Sequence, residues 1–125
     1  MLGFVWVALG GAMGSVTRYG VTIGSSRLFG EGFPSGTLIV NVIGSFAMGL
    51  VMALLARKFA DNEAARLFLT TGFLGGFTTF SAFSLDVFNL MQRGESGVAV
   101  IYVLVSVVLS ILAVFGGFLV LRALA

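Results

Sequence analysis

The sequence contains neither cysteine nor histidine among its 125 residues. Without cysteine there are no disulfides and no thiolate chemistry, and without histidine there are no imidazole metal ligands and no usual general base. A serine nucleophile would have to rely on Lys58, which lies in a predicted loop. We therefore predict that the protein is not an enzyme.

Charge is also scarce. Charged residues make up 10% of the chain and hydrophobic residues 58%, and the mean hydropathy is +1.12. These values lie far outside the range of soluble domains. The net charge of +2 comes from scattered side chains that form no contiguous basic stripe, so no nucleic-acid partner is expected. We predict a multi-pass membrane protein in contact with lipid.

The few charged residues divide the chain into four apolar runs. A membrane-spanning helix needs about 20 mostly apolar residues, and each run is long enough for one. The first run lacks a basic n-region and a small-residue cleavage site, so we expect no cleaved signal peptide. The prediction is an all-α, four-transmembrane-helix fold forming a single domain over residues 1–125, with helices at about 2–28, 35–56, 64–90 and 97–123.

The cations at the helix ends are nearly balanced between the two sides of the membrane. If both termini share one side of the membrane, that side carries four cations, Arg57, Lys58, Arg66 and Arg122. The opposite side carries three, Arg18, Arg27 and Arg93. A Lys/Arg asymmetry normally orients membrane helices. The near balance favours insertion in both orientations, although small proteins can orient on a single residue.

Glycine is abundant and proline is nearly absent, with eighteen and one respectively. Pro34 fits a turn that leads into the second helix. Gly10 and Gly14 have the spacing of a GxxxG pair, in which small residues let two membrane helices approach closely. Close packing is the simplest explanation for most of the glycines.

The middle of the third run is poor in helix-forming residues. Gly75 and Gly76 stand beside Thr78 and Thr79, and both residue types weaken a helix. At membrane depth an unwound backbone survives only where it is buried in protein or lines a polar cavity. We predict a break whose carbonyls, at residues 75–78, could bind a hard cation and whose half-helix ends add dipoles. The alternative is an intact helix that uses the two glycines for packing.

Phe80 and Phe83 share one helix face just after this break. An aromatic ring has a positive edge, and two such edges beside a pore could stabilise a small anion. Phenylalanine in a membrane helix more commonly faces lipid or core, and that alternative stays open for both rings.

The other three helices each have a polar or small face. Tyr102, Ser106 and Ser110 recur at intervals of four on the fourth helix, a pattern that suits either a watery pathway or helix packing. A buried Asn41 is costly unless paired, and its amide can donate to an anion. Arg18 lies inside an apolar span, where it could attract anions or extend to the interface. An interval of four residues also separates Thr37, Asn41 and Ser45 on the second helix. Gly10, Gly14 and Arg18 on the first helix have the same interval.

Three segments, residues 10–19, 36–41 and 72–83, closely resemble the Fluc (CrcB) family of fluoride channels. The resemblance implies an antiparallel, dual-topology homodimer with two fluoride pores in the bacterial inner membrane. It also implies passive export of cytoplasmic fluoride, which confers fluoride resistance.

The resemblance assigns roles residue by residue. It implies a structural Na+ on the dimer axis, held by the backbone carbonyls of Gly75 and Thr78. The family usually has threonine where this chain has Ala82. The fluoride pathway implied by the resemblance comprises Arg18, Asn41, Phe80, Ser81, Phe83, Ser84, Tyr102, Ser106 and Ser110.

Two other functions are compatible with a compact four-helix protein. A small multidrug-type exporter would use an embedded glutamate in its first helix, and this chain has no acidic residue before Glu31. A non-transporting membrane subunit would use the glycine-rich faces for assembly. Fluoride efflux from liposomes would separate the three hypotheses.

Overall fold

The computed structural model describes residues 1–58 and 60–124, and over these residues all regular secondary structure is helical. Helix α1 spans Leu2–Phe29 and α2 spans Ser35–Arg57. The third predicted helix begins as α3, a π-helical segment and α4, and continues after a break as α5. Helix α3 spans Glu63–Arg66, the π-helical segment Leu67–Leu74 and α4 Gly75–Phe77. Helix α5 spans Ser81–Gln92, and α6 spans Ser96–Leu124.

The helix ends follow local chemistry. Gly30 ends α1 with a φ of 77° and Gly94 turns the chain after α5 with a φ of 78°, a conformation that glycine adopts without strain. Pro34 immediately precedes α2, as predicted. The Asn62 side chain accepts a 2.9 Å hydrogen bond from the Ala65 N–H and so caps α3. The outer bounds of the predicted helices agree with the structure within two residues.

Three helical stretches of the described chain are long and apolar enough to cross a membrane, namely Ser35–Arg57, Glu63–Gln92 and Ser96–Leu124. The fourth predicted span, α1, is 28 residues long but does not belong to this set. The all-helical multi-pass fold is confirmed, and the count of four spans stays a prediction.

The third span is broken, as predicted, but the break lies further along the chain. Gly75–Phe77 remain helical, and the Thr78 N–H still donates to the Leu74 carbonyl at 3.0 Å. Thr78 then turns to an extended conformation, with ψ at 160°, and helix resumes at Ser81. The prediction of unwinding from Gly75 was wrong because close packing of Gly76 on α1 stabilises the helix there.

That packing is tight at Gly76, where an added Cβ would lie 2.6 Å from the Gly11 carbonyl oxygen. Gly10 and Gly14 contact the third span in the same way, because a Cβ at either would overlap the backbone of Phe68 or Phe73. The predicted packing role of the Gly10–Gly14 pair is confirmed. The first half of the third span is therefore seated against α1.

Helix α2 packs along α6 through a second pair of glycines. A Cβ on Gly49 would overlap the Val114 carbonyl, and one on Gly117 would overlap the Phe46 carbonyl. Helix α6 also contacts α5, its predicted antiparallel neighbour, through a buried cluster of Phe83, Leu90, Ala99 and Tyr102. The second half of the third span thus faces α2 and α6.

A candidate anion pathway at the helix break

A cavity of about 310 Å³ lies beside the break, between α2, α5 and α6. It contains five of the residues that the sequence predicted for an anion pathway. The lining comprises Asn41, Gly44, Ser45, Met48, Thr78, Thr79, Phe80, Phe83, Ser106, Val107, Ser110 and Val114. The structure thus brings residues from three separate stretches of sequence to one site.

The Asn41 side chain holds the unwound backbone. Its Oδ1 accepts a hydrogen bond from the Thr79 N–H at 2.8 Å, and its Nδ2 donates to the Thr79 carbonyl at 3.0 Å. An unpaired backbone group costs several kcal/mol in the apolar membrane, so this pairing compensates for the lost helical bonds. An amide NH2 has two donors, and the second N–H of Asn41 is not needed for this pairing.

Phe80 and Phe83 form one wall of the cavity, with ring centroids 5.5 Å apart and planes tilted by 47°. Phe83 is 8% exposed, whereas Phe80 is 77% exposed on the single chain. The centroid of the Phe83 ring also lies 5.2 Å from that of Tyr102, and the Tyr102 and Phe33 rings are nearly perpendicular with centroids 5.5 Å apart. Successive ring contacts therefore connect Phe80 at the break, through Phe83 and Tyr102, to Phe33.

Ser106 and Ser110 supply the opposite wall. Both hydroxyl oxygens are buried and have no hydrogen-bond partner among the described residues. Serine in a helix commonly bonds to the carbonyl four residues earlier, but these two do not. A buried polar group without a partner costs about 1–3 kcal/mol, so the hydroxyls are available to a ligand or to water in the cavity.

Tyr102 lines neither this cavity nor a second one, but it contacts lining residues of both. It is fully buried, and its hydroxyl donates to Asp86 Oδ2 at 2.8 Å. Asp86 lines a polar cavity of about 270 Å³, together with Phe33, Thr37 and Arg93. The sequence had placed Tyr102 on the pathway, and in the structure it contacts Phe83 of the first cavity and Asp86 of the second.

Besides Tyr102, three residues predicted for the anion pathway lie outside the cavity lining. Arg18 Nε donates to the Gly76 carbonyl at 3.0 Å and so stabilises the end of α4. Ser81 is exposed, with its hydroxyl 3.3 Å from that of Thr79. Ser84 is also exposed and donates to the Phe80 carbonyl at 3.0 Å. All three side chains therefore form hydrogen bonds with residues at or next to the break.

The carbonyls of Gly75 and Thr78 are released from the helical hydrogen-bond pattern. Their usual donors would be the N–H groups of Thr79 and Ala82. The first donates instead to Asn41, and the second donates to the Thr79 hydroxyl at 3.1 Å. With those two donors engaged elsewhere, the two carbonyl oxygens near the middle of a membrane span could serve as ligands for a hard cation, which prefers oxygen.

Thr79 is the functional residue that sequence reasoning did not assign. It contributes its backbone to Asn41 and its hydroxyl to Ala82. The β-branched Thr78–Thr79 pair was the available signal, since such residues are poor helix formers. The glycines beside it were given too much weight.

The fold and the site together define a multi-pass helical membrane protein in which a mostly apolar cavity, supplied with a few hydrogen-bond donors, lies beside a broken helix. Residues 5–118 match the family described as CrcB-like protein, Camphor Resistance (CrcB), and the chain belongs to this family.

Relatives with high identity cover the whole chain. The chain is 54% identical over 125 residues to a fluoride-specific ion channel, FluC, of Rhizobium johnstonii, covering 100% of both proteins. It is 57% identical over 121 residues to the FluC channel of Paracoccus denitrificans, covering 97% of this chain and 95% of the relative. The match to FluC of Agrobacterium fabrum is 54% over 117 residues, with 94% of each covered.

Proposed function

We propose that this chain forms a fluoride-selective channel that exports cytoplasmic fluoride passively and confers fluoride resistance. The observation that carries the proposal is the pair of buried hydroxyls, Ser106 and Ser110, that have no partner among the described residues and line the cavity. Membership of the CrcB family and the names of the three relatives support the same function.

The cavity lining favours an anion over a cation. The Ser106 and Ser110 hydroxyls and the second N–H of Asn41 are donors, and the edges of Phe80 and Phe83 carry positive partial charge. The described residues that line this cavity include no carboxylate. Weak donors distributed along a path replace part of the hydration shell without holding the ion too tightly to leave.

Export follows from the membrane potential. Hydrogen fluoride enters as a neutral weak acid and dissociates at cytoplasmic pH, and the negative interior then favours the outward movement of the anion. The relatives come from bacteria, and we propose that this chain resides in a bacterial inner membrane.

The channel is a homodimer of oppositely oriented subunits, each crossing the membrane four times, with α1 as the fourth span. Phe80 lines the cavity yet is 77% exposed on the single chain, and a second copy would cover it. Four Lys and Arg residues on one side against three on the other, with Arg18 counted among the three, support insertion in both orientations.

A structural Na+ lies on the dimer axis, bound by the carbonyls of Gly75 and Thr78. Their release from helical bonding supports this proposal, because an unpaired carbonyl at membrane depth needs a positive partner. Gly75 is exposed on the single chain and can face the second subunit. The ion would supply positive charge that keeps two broken helices together, and it would stay in place during transport.

The test is fluoride efflux from liposomes that contain the purified protein, with chloride as the control anion. We expect rapid fluoride efflux, little chloride efflux, and slower fluoride efflux from Ser106→Ala and Ser110→Ala. Fluoride efflux no faster than from empty liposomes would contradict the proposal. Proton-driven transport of organic cations would instead support the multidrug-type alternative.

A further inference from the structure

Asn41 uses both polar atoms of its side chain on a single residue of the break. Its Oδ1 is 2.8 Å from the Thr79 nitrogen and its Nδ2 is 3.0 Å from the Thr79 oxygen. A backbone N–H can only donate and a carbonyl can only accept, so the orientation of the amide is determined by its partners. The side chain imitates a neighbouring backbone strand.

This pairing has a consequence for the preceding carbonyl. The Thr79 N–H and the Thr78 C=O belong to the same peptide unit, which is planar and trans. The two groups therefore point in opposite directions. While Asn41 Oδ1 holds the N–H, the Thr78 carbonyl must point away from Asn41, to the other side of the chain.

We propose that Asn41 is a positioning residue that orients the Thr78 carbonyl toward the cation site, and that it thereby links the anion pathway to Na+ binding. The inference rests on the proposed Na+ site and adds a residue that acts on it without touching the ion. Donation to fluoride then requires only the second N–H of the amide. One side chain serves both sites.

Helix α2 restrains Thr78 a second time, one turn after Asn41. A Cβ on Gly44 would overlap the Thr78 methyl group and would come within 3.2 Å of the Phe77 ring. Both the peptide plane and the side chain of Thr78 are thus set by α2. From α1, Arg18 donates to the Gly76 carbonyl at 3.0 Å and so holds the end of the helix that precedes Thr78.

Na+ binding can be measured without transport, from the rise in melting temperature of the detergent-purified protein as Na+ replaces a large organic cation. In Asn41→Ala the Na+ concentration for half-maximal stabilisation should increase about tenfold, as when a residue that supports a metal ligand is lost. Ser110→Ala is the matched control, because Ser110 lines the same cavity but its hydroxyl makes no hydrogen bond to the break. It should reduce fluoride flux and leave the Na+ response unchanged.

Asn41→Asp separates positioning from anion donation. An aspartate keeps an oxygen for the Thr79 N–H, so its Na+ response should stay within about threefold of wild type, or become stronger. Its negative charge lies in the path of the anion, so fluoride flux should be severely reduced. Asn41→Ser replaces Asn41→Ala if the alanine variant does not fold.

A wild-type Na+ response in Asn41→Ala or its serine substitute, together with a loss of flux, would show that Asn41 is only an anion donor and would overturn the inference. If wild type itself does not respond to Na+, the Na+ site fails and so does the link to it. Hydrogen exchange at the Thr79 amide then decides the orienting role separately. Faster exchange in Asn41→Ala upholds that role, and unchanged exchange refutes it.

Discussion

At the scale of single residues, Phe80 and Phe83 differ in burial although both line the cavity. Replacing either ring by isoleucine keeps most of the bulk but removes the positive edge, so Phe80→Ile and Phe83→Ile should each reduce fluoride flux severely. Phe83 is 8% exposed and packs on Tyr102, so Phe83→Ile should also lower the melting temperature, by more than Phe80→Ile. Flux is measured per folded dimer.

Near-normal flux in both phenylalanine variants would identify the rings as ordinary core or lipid-facing residues. The anion pathway would then have to follow the hydroxyls of α2 and α6 alone. A loss of total flux in Phe83→Ile that disappears when flux is divided by the amount of folded dimer would contradict a direct role of that ring in the same way.

Ala82 occupies a position where the resembling family usually has threonine. Its N–H donates to the Thr79 hydroxyl, so the site lies next to the break and near both phenylalanines. We expect Ala82→Thr to preserve or raise fluoride flux, because it restores one polar group along the pathway. A clear decrease in flux at unchanged melting temperature would contradict this expectation.

Sequence reasoning found the cavity residues that periodicity can reveal. Ser106 and Ser110 share a helix face at a spacing of four, and both line the cavity. It did not find the pairing of Asn41 with Thr79, which are 38 residues apart, because periodicity within one helix carries no information about a partner on another. The bond from Arg18 to Gly76 was missed for the same reason.

At the scale of helices, the contact between α2 and α6 offers a matched pair of glycines. A Cβ on Gly117 would overlap the Phe46 carbonyl, whereas one on Gly116 would reach only the Phe46 ring, at 3.9 Å. Gly117→Ala should therefore separate the two helices that enclose the cavity, and should lower both the melting temperature and fluoride flux. Gly116→Ala should be neutral or slightly stabilising, because alanine favours helix over glycine by about 1 kcal/mol.

Thermal unfolding of the two variants is measured in the same detergent. Equal melting temperatures for Gly117→Ala and Gly116→Ala would mean that the α2–α6 contact does not require the absence of a Cβ at Gly117. Since the residues are adjacent on one helix, differences in membrane depth cannot explain a divergent result.

Helix positions were predictable because charged residues mark the ends of the apolar runs. The internal structure of the third span was not. Leu67–Leu74 is π-helical, and neither propensity nor hydropathy indicates this. The break lies at Thr78 rather than at Gly75 because packing of Gly76 on α1 stabilises helix where glycine alone would weaken it, an effect of tertiary contacts on local preference.

At the scale of the whole molecule, we expect an antiparallel dimer. The chain has no cysteine, so Asp61→Cys creates a single thiol in the exposed loop after α2. A membrane-impermeant maleimide should label part of the protein from outside intact cells and the remainder only after permeabilisation. The two fractions should be roughly equal.

Labelling from one side only would remove the dual-topology proposal. The test is demanding because Arg18, whose side chain donates to the Gly76 carbonyl inside the bundle, does not act as a loop cation that orients the chain. Without it, Arg57, Lys58, Arg66 and Arg122 on one side are opposed by Arg27 and Arg93 on the other. The control is Gly24→Lys, at a position where an added Cβ meets nothing. It adds a cation on the side of Arg27 and Arg93 and so reduces the imbalance between the two sides.

The pairing of the break with Arg18 and Asn41 also bears on biogenesis. Both side chains belong to α1 and α2, which leave the ribosome before the third span is made. When the end of α4 at Gly76 and the unwound backbone at Thr79 reach the lipid, their partners are already in the membrane. The nascent chain therefore need not wait for α6, or for a second subunit, to satisfy these polar groups, and a channel built on an interrupted helix can be inserted one segment at a time.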